Sequence, residues 1–369
     1  GSTVTLYDGT VKLGTASADG TTGAYSLSLT TPLADGAHSL TVTATDAAGN
    51  VSPASTAVAM TVDTATTKPV LTALSSSLLN TNKPTLAGTA EAGSSVVISD
   101  GATKLGTVTA GADGKFSLAL TTALGEGSHS ITAVATDKAG NVSDTSSVLS
   151  FVVDTTAPNT PTLATVASTT NINKPVITGT AEVGSVVSVY DGTTLLGTAT
   201  ATANLDNPNS TTGIWTFTPT AVLADGSHNL TAKAKDAAGN VSTVSASLAV
   251  TVDTVAPNKP VLTAVTTPLN SSTPTLKGTA EAKSEVSIYE GQTLVGKAIA
   301  DSTGAFAATL STSLADGPHI LTAKAKDGAG NISATSSDPL TIQIDTTAPD
   351  KPTLAVTGLL SNNFTKSNK

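Results

Sequence analysis

The chain has 369 residues, a net charge of −9 and no cysteine, and only 12% of its residues are charged. All 18 basic residues are lysine, which argues against nucleic acid, a partner that selects basic patches and arginine forks, and against an anionic membrane surface. Disulfides are excluded in any compartment, and no run of about 18 apolar residues is present to insert into a membrane.

With 39% apolar residues that alternate along the chain, the composition is not that of a disordered segment. Ala, Thr, Ser, Val and Gly dominate, the vocabulary of short strands and tight turns. A partial unit occupies residues 1–63. It opens at a strand over 4–7 and carries Leu40, Val42 and Ala44 on an inward face. It lacks two strands that precede this point elsewhere, so an exposed core and an open sheet edge are expected. Strand exchange with the C-terminal tail of another chain could cover that edge. No signal peptide is visible at Gly1; the start looks cut from a longer chain, so this says little about export.

Units 64–154, 155–253 and 254–345 are complete, and 346–369 begins a further one. The third unit displays the strands: 162–166, 174–181, 185–190, 195–201, 215–219, 228–235 and 245–252. Asp191-Gly192, Asp225-Gly226 and Gly239-Asn240 mark turns between them. Leu230, Ala232 and Ala234 share one face; Thr231, Lys233 and Lys235 share the other, which must be solvent because two lysines are not buried unpaired. The third unit also carries an insertion of about eight residues, 204–211.

Three phrases set the period. DAAGNVS and its variants recur at Asn50, Asn141, Asn240 and Asn331; VDTTAP variants follow at Asp63, Asp154, Asp253 and Asp345; GTAEAGS variants carry Glu91, Glu182 and Glu281. A unit of about 90–100 residues with seven short runs is an immunoglobulin-like (Ig-like) sandwich in size and texture. The predicted fold is therefore all-β: tandem seven-stranded antiparallel Ig-like sandwiches arranged as an elongated rod. Linkers such as 154–161, with Pro158 and Pro161 and no glycine, favour stiffness. An aromatic slot recurs at Tyr25, Phe116, Trp215 and Phe306 and reads as core. His38, His129, His228 and His319 share one position after a turn and read as framework.

Alternating strand direction places successive loops at opposite ends of each sandwich. Stacked units then gather Asp8, Asp35 and Asp63 with Glu91, Asp113 and Asp137. The next junction gathers Asp100, Glu126 and Asp154 with Glu182 and Asp236, and the third gathers Asp191, Asp225 and Asp253 with Glu281, Asp301 and Asp327. Such groups repel unless a cation lies between them, and Ca2+, with its six to eight oxygen ligands, suits irregular loop carboxylates better than Mg2+. Turn chemistry alone also accounts for aspartates before glycine: Asp8, Asp35, Asp100, Asp191, Asp225 and Asp316. The preferred metal set is therefore Asp63, Glu91, Asp137, Asp154, Glu182, Asp236, Asp253, Glu281 and Asp327.

The motifs GTAEAGS, DAAGNVS and VDTTAPNTP resemble those of bacterial Ig-like repeats in giant adhesins, such as biofilm-associated proteins and type I-secreted non-fimbrial adhesins. The resemblance covers essentially the whole chain and implies a surface-displayed, extracellular stalk, with calcium at module junctions in some relatives. No cysteine nucleophile and no GxSxG arrangement with a histidine partner is present, and the carboxylates repeat rather than gather in one cleft, so no catalysis is expected. Three functions remain open: a structural spacer of an adhesin active in adhesion and biofilm formation; a module that itself binds a glycan or host protein, with 204–211 beside Trp215 as its best place; or an accessory region of an extracellular enzyme.

Overall fold

The computed structural model describes residues 1–164, 167–204, 210–336 and 338–355. Every regular element among them is a β-strand. The chain divides into two compact units, residues 1–157 with 237–240 and residues 158–236 with 241–369.

In the first unit, the first repeat is a single four-stranded sheet in the order Val11–Ser17, Thr3–Asp8, Gly36–Thr45, Val58–Val62. Its inward face is only partly covered. Leu40, Val42 and Ala44 are half-buried, whereas their counterparts Ile131, Ala133 and Ala135 in the second repeat are fully buried. An open hollow of about 670 Å³ lies on this face, lined by Val4, Tyr25, Val42 and Ala44 among others. Tyr25 departs from the core role expected of the aromatic slot: it is 47% exposed, against 4% for Phe116. Phe116 sits on Lys115–Ala119, which pairs with Thr85–Thr89. The first repeat has no strand equivalent to Thr85–Thr89, so residues around Tyr25 form no strand.

The second repeat closes the sandwich. One sheet runs Lys115–Ala119, Thr85–Thr89, Val70–Leu71; the other runs Leu78–Leu79, Leu149–Val153, Gly127–Thr136, Ser95–Asp100, Thr103–Thr109. Leu86, Ile98, Ile131 and Phe151 fill the space between.

In the second unit, the third repeat pairs Ile177–Glu182 with Thr212–Phe217, which pairs with Thr202–Ala203. Its larger sheet runs Thr169–Thr170, Leu248–Val252, Gly226–Lys235, Val186–Asp191, Thr194–Thr200. Lys233 and Lys235 are exposed, as the alternation requires. The fourth repeat has sheets ordered Val261–Leu262, Thr275–Thr279, Ala305–Thr309 and Thr293–Ile299, Glu285–Glu290, Gly317–Lys326, Leu340–Ile344. Residues 346–355 form no strand; the rest of the expected further unit lies outside the described residues.

The expected wholly antiparallel seven strands are refined in one respect. The first strand of each complete repeat is split between the two sheets, and its second piece runs parallel to the last strand. Leu78–Leu79 lies beside Val152–Val153, Thr169–Thr170 beside Thr251–Val252, and Leu269 bridges Ile344. One strand thereby ties both sheets together.

The glycine of the GTAEAGS phrase has a packing reason. At Gly88, Gly179 and Gly278 the first strand's backbone crosses directly above and the core aromatic lies against the α-carbon. A Cβ on Gly179 would fall 1.9 Å from the Thr162 carbonyl oxygen and 2.6 Å from Trp215 Cζ2. Only glycine admits so close a backbone.

Candidate metal centre

The carboxylates fall into classes by what holds them. In each repeat the histidine links two turns. His38 Nδ1–H donates to Asp8 (2.6 Å) and Nε2–H to the Ala34 carbonyl (2.7 Å). His129 does the same with Asp100 and Gly125 O, His228 with Asp191 and Ala224 O, and His319 with Glu290 and Ala315 O. Both ring nitrogens face oxygen acceptors, an arrangement that favours the doubly protonated imidazolium against a carboxylate. The Asp8 hydrogen bond raises the His38 pKa; for His129, burial alone would lower it, and the bonds to Asp100 and Gly125 outweigh that. In the three aspartate pairs the other carboxylate oxygen accepts a backbone N–H: Asp8 from Ser39 (2.9 Å), Asp100 from Ser130 (2.9 Å) and Asp191 from Asn229 (3.2 Å). Asp8, Asp100 and Asp191, secondary metal candidates by sequence, are thus held by their histidines. The signal was available, since each lies 29 to 37 residues before its histidine, but nothing local paired them.

Asp35, Glu126 and Asp225 cap the linkers. Asp35 accepts from Thr64 Oγ1 (2.9 Å), Glu126 from Thr155 N (3.0 Å), and Asp225 from Thr254 N (3.0 Å) and Oγ1 (2.9 Å). Asp113 and Asp301 close their own turns, accepting from Lys115 N (3.1 Å) and from Thr303 N (2.8 Å). These five positions are accounted for by turn and linker chemistry. The linker aspartates use turn chemistry too, contrary to expectation: Asp154 accepts from Thr156 N and Asp253 from Val255 N, both at 3.1 Å. Such Asx turns start the linkers.

One trio converges. Asp63, Glu91 and Asp137 each place a carboxylate oxygen within 4.8 Å of the others, the one such group of three among the described residues. Asp63 ends the first repeat; Glu91 and Asp137 come from two loops of the second. Asp137 is 8% exposed. Its Oδ1 accepts from Gly140 N (2.8 Å) and Asn141 N (2.9 Å), and its Oδ2 from Asn141 Nδ2 (2.7 Å). Burial would raise its pKa, but these bonds outweigh that and hold it below the ordinary carboxylate value. Glu91 accepts from Thr66 Oγ1 (2.7 Å). Three hard carboxylates can supply up to about six oxygens when bidentate, which fits Ca2+.

The other two expected junctions differ. Asp253, Glu281 and Asp327 lie in one compact unit and do not converge to that distance. Glu281 is exposed, and its loop carries Lys283 where the second and third repeats have Gly93 and Gly184. Lys283 keeps the left-handed backbone of those glycines (φ 67°, against 78° and 84°) while adding a positive charge to the acidic loop. Asp154 lies in the first unit, and Glu182 and Asp236 in the second. The insertion 204–211 lies largely outside the described residues. Trp215 beside it is 2% exposed and packed in the core, so it offers no platform for a glycan.

Two-sheet sandwiches in tandem, with a repeated polar framework, define an array of Ig-like modules. The chain belongs to the bacterial Ig-like domain family, which matches residues 1–64, 72–155, 164–254 and 266–346. It is 31% identical to exoglucanase B of Cellulomonas fimi over 309 residues, 74% of this chain and 25% of that protein. It is 35% identical to chitinase A1 of Niallia circulans over 204 residues, 50% of this chain and 26% of that protein. The chain therefore spans about a quarter of the length of these relatives. Among solved structures it resembles a tetra-tandem repeat from the extending region of a large adhesion protein. That likeness has 24% identity and a TM-score of 0.34, covering 94% of this chain and 92% of that one.

Proposed function

We propose that this chain is a non-catalytic spacer within a large type I-secreted bacterial surface adhesin, holding an adhesive part away from the cell during adhesion and biofilm formation. The observation that carries the reading is the polar framework. Each histidine–carboxylate pair and each Asp-x-Ala-Gly-Asn loop recurs in every repeat, so these groups serve the module rather than one site. In this reading Ca2+ is held by Asp63, Glu91 and Asp137 and stiffens the junction between the first and second repeats. The carboxylates Asp253, Glu281 and Asp327 would bind it only after their loops move.

Thermal melting tests the metal. Calcium at a hundredfold excess over Kd stabilises the native state by about 2.7 kcal/mol, so the transition involving the second repeat rises on adding calcium and falls with chelator. Glu91→Gln should remove the shift. An identical melt with calcium and chelator refutes calcium binding here.

A second reading, an accessory region of an extracellular polysaccharide-degrading enzyme, is favoured by the 31% identity with exoglucanase B. Sequencing the coding region on either side separates the two: a glycosidase domain there supports the second reading, and further Ig-like repeats support the first. A glycan array probed with the full chain tests whether the modules bind sugar themselves.

A further inference from the structure

We infer that the Asp-x-Ala-Gly-Asn loop of a repeat is a metal-independent docking surface for the end of the preceding repeat, with the asparagine amide as its contact. A side-chain amide carries two N–H donors. In the second repeat, one Asn141 Nδ2–H goes to Asp137 Oδ2 of its own loop (2.7 Å). The other goes to the backbone carbonyl of Asp63, the last residue of the first repeat, at 2.9 Å and 78 residues away. The fourth repeat does the same: Asn331 Nδ2 donates to Asp327 Oδ2 (2.8 Å) and to the Asp253 carbonyl (2.7 Å), again 78 residues back. Within the first compact unit, Asn240 Nδ2 donates to the Asp154 carbonyl (2.8 Å) across 86 residues. The longer separation accompanies the insertion at 204–211, and the bond is the same.

The first repeat shows that the loop builds this donor by itself. Asn50 Nδ2 donates to Asp46 Oδ2 (2.8 Å), and Asp46 Oδ1 accepts from Ala48 N (2.9 Å) and Asn50 N (2.8 Å). No other repeat lies on this loop among the described residues, yet its internal bonds match those of Asp137 and Asp327. The aspartate carboxylate thus aims the asparagine before any contact is made, which lowers the ordering cost of docking. The receiving backbone is equally prepared. Asp154 N donates to Leu79 O and Asp253 N to Thr170 O, both at 2.9 Å. The N–H of the linker aspartate therefore binds its own repeat, and its carbonyl is left for the next. The partner this surface fits is another module of the same kind, presenting a strand-end carbonyl.

This inference stands apart from the calcium reading, and one experiment separates them. The chain has no cysteine, so Ser17→Cys in the first repeat and Ser117→Cys in the second can be spin-labelled uniquely; both positions are exposed. Pulsed electron–electron distance measurements are made on the full chain in chelator and in calcium. The labelled parent should give a narrow distribution in chelator, and Asn141→Ala or Asn141→Asp should lose the narrow peak. Asn50→Ala removes the same internal loop bonds where no linker carbonyl is held, so it should leave the peak intact. A narrow peak in the Asn141 variants in chelator overturns the inference, as does equal broadening by Asn50→Ala. A parent that is broad in chelator and narrow only with calcium overturns it while leaving the calcium reading in place.

Discussion

Replacing Gly179 by alanine should unfold the third repeat at much lower denaturant while leaving its neighbours standing. The new Cβ would sit 1.9 Å from the Thr162 carbonyl oxygen and 2.6 Å from Trp215 Cζ2. Ordinary contact begins near 3.4 Å, so the first strand must lift by more than an ångström. Lifting it breaks the bonds from Thr162 N to Thr180 O and from Ala164 N to Thr178 O, both 2.8 Å. It also disturbs the Thr162–Thr180 hydroxyl pair (2.6 Å). Two backbone bonds at about 1 kcal/mol each, with about 1–3 kcal/mol of overpacking against the indole, sum to roughly 3–5 kcal/mol. With a urea slope of about 1–3 kcal/mol per molar for a small domain, the midpoint falls by at least about 1 M. Trp215 is the single tryptophan and lies in this core, so its fluorescence reports the third repeat alone. Gly88→Ala, which clashes with Val70 O at 2.3 Å in the second repeat, should lower overall stability yet leave the Trp215 curve in place. A Gly179→Ala midpoint within experimental error of the parent would refute the packing argument.

The four histidine–carboxylate pairs make stability depend on pH. The histidine pKa values are raised in the fold, so this contribution is complete below the unfolded value near 6.5 and is lost as pH rises through the folded values. The Asp8 and Asp100 pKa values are lowered, so their contribution is present above about 3.9 and fades as pH falls through the folded values. Melting temperature should therefore be highest between these limits and decline as pH rises beyond about 6.5, and His129→Gln should flatten the alkaline decline of the second repeat; a profile flat from about pH 5 to 9 would contradict the imidazolium assignment. The half-covered face of the first repeat should accept a strand from another chain, giving a concentration-dependent dimer in analytical ultracentrifugation, and a monomer at every concentration would exclude strand exchange.

Much of this protein was legible in the sequence, because strand periodicity and turn chemistry are local. The two-residue alternation of Leu230, Ala232 and Ala234 against Lys233 and Lys235 sets which side faces water, whatever surrounds the strand. The recurrence of Asp-x-Ala-Gly-Asn set the repeat length and hence the sandwich. The tertiary structure decided what these polar groups do, since that depends on residues 29 to 86 positions apart. It assigned Asp8 to His38 and Asp35 to Thr64, and brought three of the nine preferred ligands, Asp63, Glu91 and Asp137, together. It turned Asn141, legible only as a turn residue, outward onto the Asp63 carbonyl. It also exposed Tyr25, because an aromatic slot becomes a core only when the opposite strand is there to close over it.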